Sequence, residues 1–482
     1  MMLRALAAMV LARSCLAMED AVALLQADNW PWAFLKPNAS RASRAPRSPR
    51  APIALKAWAH TPAKAGHYWA GKNGDQNRSG FSLHDAPFDL SKPTWTYKVP
   101  LAYHNSPVID GEGNVYLAHY RLGVVALDRQ GRERWRFPLK SSGNPVLLGG
   151  EIFVCSQTGV AHAIDLATGK ERWQSKIANN CPGDAWSASA AGQTVIMLAN
   201  VEREVPDGNC DIVALNATDG SQIWRFPLCG KGHPKGYNGM PSIVGNAVLF
   251  QDTYGGVHRL SLASGAAEWS APPYDSTPAG STGGMATGPN GLIYGASNYD
   301  GYPDRAKGLL QALDLRTGAV RWRRTFEQGL NSGPAVGRLG PNGRLAVIAQ
   351  VGDNFLEFGL PASVRMSLSG RRGPVHKGTV LAIDAESGKT IWSFDVDNYQ
   401  SWTYPQQALG CLPDAFGNPA IGGDGTVYVN WSGGGYAYAV RDADGDGAIS
   451  AQEVSKVRTN SGMNGETALA PGLAVVPSCD AL

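Results

Sequence analysis

The sequence predicts an all-β fold, a closed ring of small antiparallel sheets, and three observations carry that prediction. Glycine and aromatic residues are abundant, with 58 Gly, 14 Trp and 16 Tyr in 482 residues, while only 17% of the chain is charged. That balance suits short strands joined by tight turns, and it excludes a disordered chain or a long coiled coil. Second, one pattern recurs six times: Ala, an apolar residue and Asp or a small polar residue, then Gly four positions on and Trp four after that. Third, the recurring tryptophans are spaced 38, 51, 45, 53 and 70 residues apart, the period of four-stranded repeats arranged around an axis.

Taken from the N-terminus, Met1-Met2-Leu3-Arg4 followed by an Ala-rich apolar run, with Cys15-Leu16-Ala17 offering small residues at a cleavage site, reads as a signal peptide over 1–17. An amphipathic N-terminal helix is the alternative. Residues 18–65 read as a leader or linker rich in Pro, Ser and Ala, carrying Lys36, Arg41, Arg44, Arg47, Arg50 and Lys56 without an acid from 36 onward. These two segments predict a secreted protein or one in the lumen of the secretory pathway, with import into a complex plastid through a bipartite leader as the alternative. Residues 1–56 hold 8 basic against 3 acidic side chains, so the remaining 35 basic and 37 acidic side chains leave the body slightly acidic. A nucleic-acid partner is therefore not expected. No apolar run long enough to span a membrane occurs in the mature chain.

The repeats begin with Ala126-Leu127-Asp128, Gly131 and Trp135, a copy one residue short. Full copies follow at Ala163-Ile164-Asp165 with Gly169 and Trp173, and at Ala214-Leu215-Asn216 with Gly220 and Trp224. Three more are Ser261 with Gly265 and Trp269, Ala312-Leu313-Asp314 with Gly318 and Trp322, and Ala382-Ile383-Asp384 with Gly388 and Trp392. Each predicts a strand, a turn with Gly at positive φ, and a returning strand bearing the Trp. Upstream segments such as Pro107 to Leu117 add two further strands. A seventh repeat starts at Pro419, and Lys92 to Tyr97 forms an orphan Trp strand, so pairing of the N-terminal strand with the C-terminal blade closes the ring. The prediction is a seven-bladed β-propeller over 66–482, with an eighth blade within the 322–392 interval as the alternative.

The seventh repeat departs from the pattern at Asp442-Ala443-Asp444-Gly445-Asp446-Gly447-Ala448-Ile449-Ser450-Ala451-Gln452-Glu453. This matches the twelve-residue EF-hand loop. Asp442, Asp444 and Asp446 stand at positions 1, 3 and 5, Gly447 makes the sharp turn, the Ala448 carbonyl is at 7, Ser450 at 9 and a bidentate Glu453 at 12. Three aspartates within five residues repel one another without a cation. The expected ion is Ca²⁺, bound structurally in the closing blade with an affinity on the order of 10⁻⁴ to 10⁻³ M. A short helix over 450–457 is expected to leave the loop.

The motif Ala-x-Asp-x-x-x-Gly-x-x-x-Trp resembles the pyrroloquinoline-quinone (PQQ) repeat, and residues 66–442 resemble the quinoprotein-like β-propellers. That resemblance implies either a PQQ-dependent dehydrogenase or a cofactor-free scaffold such as the outer-membrane assembly lipoproteins of bacteria. The alcohol-oxidising members carry adjacent cysteines, and this chain has no Cys-Cys pair. The expectation is therefore a monomeric calcium-binding scaffold that takes a protein or small-molecule ligand at the funnel or at the loops 296–306 and 352–377. A PQQ-dependent oxidoreductase is the alternative, and no catalytic residue is assigned. Six cysteines remain beyond the leader, an even number suited to an oxidising compartment, with 15 pairings open.

Overall fold

The computed structural model describes residues 66–482 except 101–102, 104, 142, 182–186, 200–210, 228–239, 276–282, 301–305, 354–374, 401–413, 460 and 464. The leader segments therefore lie outside the described residues, as does most of the loop 352–377.

Among the described residues, seven four-stranded antiparallel sheets follow one another along the chain, each with its strands in sequence order. Blade one, for example, comprises Val108–Ile109, Val115–His119, Gly123–Leu127 and Glu133–Phe137. The others occupy 146–176, 189–227, 242–271, 284–326, 335–395 and 420–458. In blades one and five the middle strands are buried on both faces, and the outer strand alternates exposed and half-buried residues. This is the pattern of a sheet stacked between two neighbours with one edge to solvent.

The recurring Trp and Gly lock successive blades together. Gly169 has φ +68°, and a Cβ there would lie 2.6 Å from the Trp135 ring of the preceding blade. The turn thus needs glycine both for its backbone and for the indole beneath it. The same fit joins Trp173 to Gly220, Trp224 to Gly265, Trp269 to Gly318 and Trp322 to Gly388. The indole N–H of Trp135, Trp173, Trp224 and Trp322 donates to the carbonyls of Leu166, Ala217, Leu262 and Ala385 at 3.0, 2.7, 2.7 and 3.0 Å, so these four wedges are also hydrogen-bonded. Trp392 has no such glycine to meet, because the longer loop 441–453 replaces that turn. It is buried in a cluster that also contains Val440, with Ile449 packed against it.

Both chain ends close the ring. Tyr97 and Leu482 exchange backbone hydrogen bonds at 2.9 Å, and Val99 N–H donates to Asp480 at 2.9 Å. The hairpin Ala468–Ala470 and Leu473–Val475 shares a core with blades one and seven. Trp95 fits under Gly131 of blade one and donates to the Arg129 carbonyl at 3.1 Å. The N-terminal strand thus pairs with residues 480–482 rather than, as expected, with blade seven, whose four strands all come from 420–458. The hairpin Ala468–Ala470 and Leu473–Val475 forms a separate two-stranded sheet after blade seven, and the 322–392 interval is taken up by the strands of blade six rather than by an extra blade.

Residues 69–82, which the repeat pattern left unassigned, run past the inner strands in turn. Ile109 and Trp69 exchange bonds at 2.8 and 3.0 Å. Leu147, Ile243, Thr287, Val336 and Ile421 donate to the carbonyls of Ala70, Gln76, Asn77, Ser79 and Gly80 at 2.7–3.1 Å. Inner strands would otherwise face the axis with unpaired backbone groups, and this segment satisfies them. Its fully buried Arg78 donates to the carbonyls of Pro241, Lys72 and Ala188. Asn73 and Arg78 stand at φ +58° and +57°, outside the usual region for non-glycine residues, and the Asn73 side-chain amide is anchored to the Pro334 carbonyl at 3.1 Å.

Candidate metal centre

In blade seven the strands Tyr436–Val440 and Val454–Arg458 pair with Val440 opposite Val454. Residues 441–453 therefore cap a hairpin rather than join two helices. The Arg441 N–H donates to the Glu453 carbonyl at 3.0 Å and closes the mouth of the loop. The predicted helix over 450–457 is corrected to one 3₁₀ turn, Ala451–Glu453, followed directly by strand. Val454 to Arg458 must pair with the preceding strand, and that demand overrides local helix preference. Ser455 stands opposite Ala439, the place of the Trp in the other blades. Its hydroxyl accepts the Leu90 N–H at 2.9 Å, which ties the N-terminal segment over this blade.

Gly445 and Gly447, at φ +77° and +83°, turn the loop back on itself. Asp442 is buried and accepts the N–H groups of Gly445 and Gly447 at 2.8 and 3.2 Å. Glu453 is buried too: one oxygen accepts Ala443 N–H at 2.6 Å, and the other accepts the N–H and hydroxyl of Ser450, both at 2.9 Å. These donors hold the Glu453 carboxyl below its ordinary range, the Ser450 and Ala443 amides contributing most. It is thus an anion at neutral pH.

One oxygen from each of Asp442, Asp444 and Glu453 lies within 4.8 Å of the others. Oxygens this close can bind one divalent cation together, since two oxygens at about 2.4 Å from a common ion are separated by at most about 4.8 Å. Asp446 lies outside it and accepts Ala448 N–H at 2.7 Å, while Asp444 accepts Asp446 N–H at 3.1 Å. Ser450 is turned toward Glu453. Three of the six predicted ligands are therefore gathered, and Asp446, Ala448 and Ser450 frame the loop around them. A cleft of about 310 Å³ adjoins the loop, lined among others by Phe394, Asp397, Tyr438, Ile449, Ser450 and Lys456.

Another buried acid, Glu466, was not singled out by the sequence. Glu466 is fully buried. One of its oxygens accepts the Trp69 indole N–H at 3.0 Å and the Asn73 N–H, and the other has no hydrogen-bond partner. Burial pushes its carboxyl up to about 7 against the opposing pull of Lys72. Nothing in its surroundings repeats along the chain, so periodicity gave no signal for it.

Cys155 and Cys181 form a disulfide, and Cys479 is also disulfide-bonded. Cys210, Cys229 and Cys411 fall outside the described residues. Among the described residues, no helix is long and apolar enough to cross a membrane.

Residues 121–285 match the family described as outer membrane protein assembly factor BamB, a PQQ-repeat family. The chain is 25% identical over 333 residues to quinate/shikimate dehydrogenase (quinone) of Acinetobacter baylyi, covering 58% of this chain but only 36% of that relative. It is 23% identical over 335 residues to the outer membrane protein assembly factor BamB of Yersinia pestis, covering 64% and 79%. Among solved structures, BamB from Moraxella catarrhalis superposes with a TM-score of 0.52 at 16% identity, over 79% of this chain and 94% of that one. A europium-containing methanol dehydrogenase gives a TM-score of 0.57 at 15% identity, over 85% and 88%.

Proposed function

From the premise that the chain is a PQQ-repeat β-propeller, similar to both BamB and quinoprotein dehydrogenases, we propose that it is an extracytoplasmic calcium-binding scaffold. The observation that carries this reading is the convergence of Asp442, Asp444 and Glu453 on one point in a loop with the twelve-residue EF-hand spacing. A Ca²⁺ there would neutralise three carboxylates and tie Asp442, at the start of the loop, to Glu453, at the start of the outer strand. Its role is structural, because the loop joins two paired strands and has no helix pair to open. The Cys155–Cys181 disulfide supports an oxidising compartment. Because residues 69–82 fill the inner edge of the ring, a protein partner would dock on the ends of the ring or in the cleft beside the loop.

One observation favours a second reading, a quinone-linked oxidoreductase: the alignment with a quinone-dependent dehydrogenase over 58% of this chain. Separate titrations with Ca²⁺ and with PQQ distinguish the two. One bound Ca²⁺, weakened by Glu453→Gln, with no shift in the PQQ absorption spectrum, supports the scaffold. A red-shifted bound quinone with dye-linked alcohol oxidation overturns it.

A further inference from the structure

Blade four contains a hydrogen-bond relay that plays no part in the calcium reading. Asp252 follows the strand Ala247–Gln251, His258 lies in Val257–Ser261, and Ser270 lies in the outer strand Ala267–Ala271. Asp252 Oδ2 is 3.0 Å from His258 Nε2, and His258 Nδ1 is 2.9 Å from Ser270 Oγ. The Asp252 side chain is fully buried, His258 is 12% exposed, and Ser270 is exposed to solvent. The acid, base and hydroxyl thus run in order from the interior to the surface.

The arrangement is held rigidly. Asp252 Oδ1 accepts the N–H groups of Tyr254 and Gly256 at 3.0 and 2.8 Å, which fixes the carboxylate. Phe250 stacks on the imidazole at 4.8 Å with a 19° tilt. His258 is the cross-strand partner of both Phe250 and Ser270, so the three side chains share one face of the sheet. A carboxylate on Nε2 keeps the proton on that nitrogen and leaves the Nδ1 lone pair facing the serine hydroxyl.

Comparison with the other repeats shows what is special to this blade. Counting back three residues from the turn Asp or its equivalent, the same position holds Val125, Val213, Gln311 and Leu381 in blades one, three, five and six, and His162 in blade two. His162 bonds Glu171 through Nδ1 at 2.7 Å and faces Gln174 across the ladder. That is a paired structural histidine with no nucleophile. Blade four alone among these six adds a hydroxyl on one ring nitrogen and a buried carboxylate on the other.

We propose that Ser270 is a nucleophile for acyl transfer, with His258 as general base and Asp252 as the positioning residue, acting on esters of small carboxylic acids. Ser270 Oγ forms a bond to the acyl carbon as its proton passes to His258 Nδ1. Collapse of the tetrahedral intermediate breaks the ester C–O bond, and the leaving alcohol takes that proton. Water then attacks the acyl-serine with His258 as base, releasing the carboxylic acid and restoring the serine hydroxyl. The outer strand is the edge of its sheet, and Ser270 is exposed on it, so an ester can reach the hydroxyl from solvent.

The test uses the full chain with a fluorophosphonate probe and with p-nitrophenyl acetate. A fluorophosphonate adduct on Ser270, located by peptide mass spectrometry, and ester hydrolysis lowered about 100-fold or more by Ser270→Ala are expected. That variant truncates an exposed side chain and retains His258, so direct acylation of the imidazole is controlled. His258→Gln should abolish labelling of Ser270 while leaving the circular dichroism spectrum unchanged. A folded protein in which Ser270 stays unlabelled, or hydrolysis that Ser270→Ala leaves intact, overturns the proposal. Neither readout depends on calcium.

Discussion

Replacing Glu466 by Gln should change how the stability of the propeller depends on pH. The carboxyl is fully buried and titrates at about 7, against 4.5 for the free side chain. Its folded-state pKa is raised, so between pH 4.5 and 7 the folded protein holds a proton that the unfolded chain has released. Stability therefore falls as pH rises through that window and levels off above it. At about 1.4 kcal/mol per pKa unit, the difference of about 2.5 units corresponds to roughly 3 kcal/mol. Glutamine keeps an oxygen for Trp69 and Asn73 and carries no charge. The variant should thus gain roughly 3 kcal/mol on the wild type between pH 4.5 and 7.5, read from denaturant unfolding at several pH values by Trp fluorescence. Lys72 and Arg78 lie close enough to attract the carboxylate. If they compensate its burial fully, the two proteins will show parallel pH profiles, and the reasoning fails.

Three further outcomes follow from the packing. Gly169→Ala forces a Cβ to 2.6 Å from the Trp135 indole at φ +68°, and a loss of about 2–4 kcal/mol is expected in thermal melts. Removing the Cys155–Cys181 disulfide, which spans 26 residues, by replacing both cysteines with serine should cost about 3 kcal/mol in denaturant unfolding. Trp95→Ala empties the wedge under Gly131. It should destabilise the closure by about 3–5 kcal/mol and speed hydrogen exchange at Tyr97, Val99 and Leu482 before other strands; unchanged exchange there would remove Trp95 from the closure.

The ring was legible in the sequence because its chemistry repeats. A turn that needs positive φ and a wedge for the next blade recur at fixed spacing, so Gly169 and Trp135 announce themselves through their copies. The part of Trp95 in the closure was legible for the same reason, since it is a wedge without a blade of its own. Residues 69–82 were not, because they bond mainly through backbone groups to strands far away in sequence. Arg78 and Glu466 were hidden likewise, as each is held largely by contacts more than a hundred residues away. At the loop, the spacing located Asp442, Asp444 and Glu453. The expected exit helix failed because sheet pairing at Val454 to Arg458 outweighs local propensity. The blade-four relay was invisible for a different reason: Asp252, His258 and Ser270 sit on a turn and two strands, at no spacing that a motif would record.

Isothermal titration of the full chain with Ca²⁺ after EGTA treatment, alongside Glu453→Gln, tests the central claim most directly. The account predicts one bound Ca²⁺ per chain, with affinity lowered at least about tenfold in the variant because the bidentate ligand is lost. No saturable binding, or binding that Glu453→Gln leaves unchanged, would contradict it.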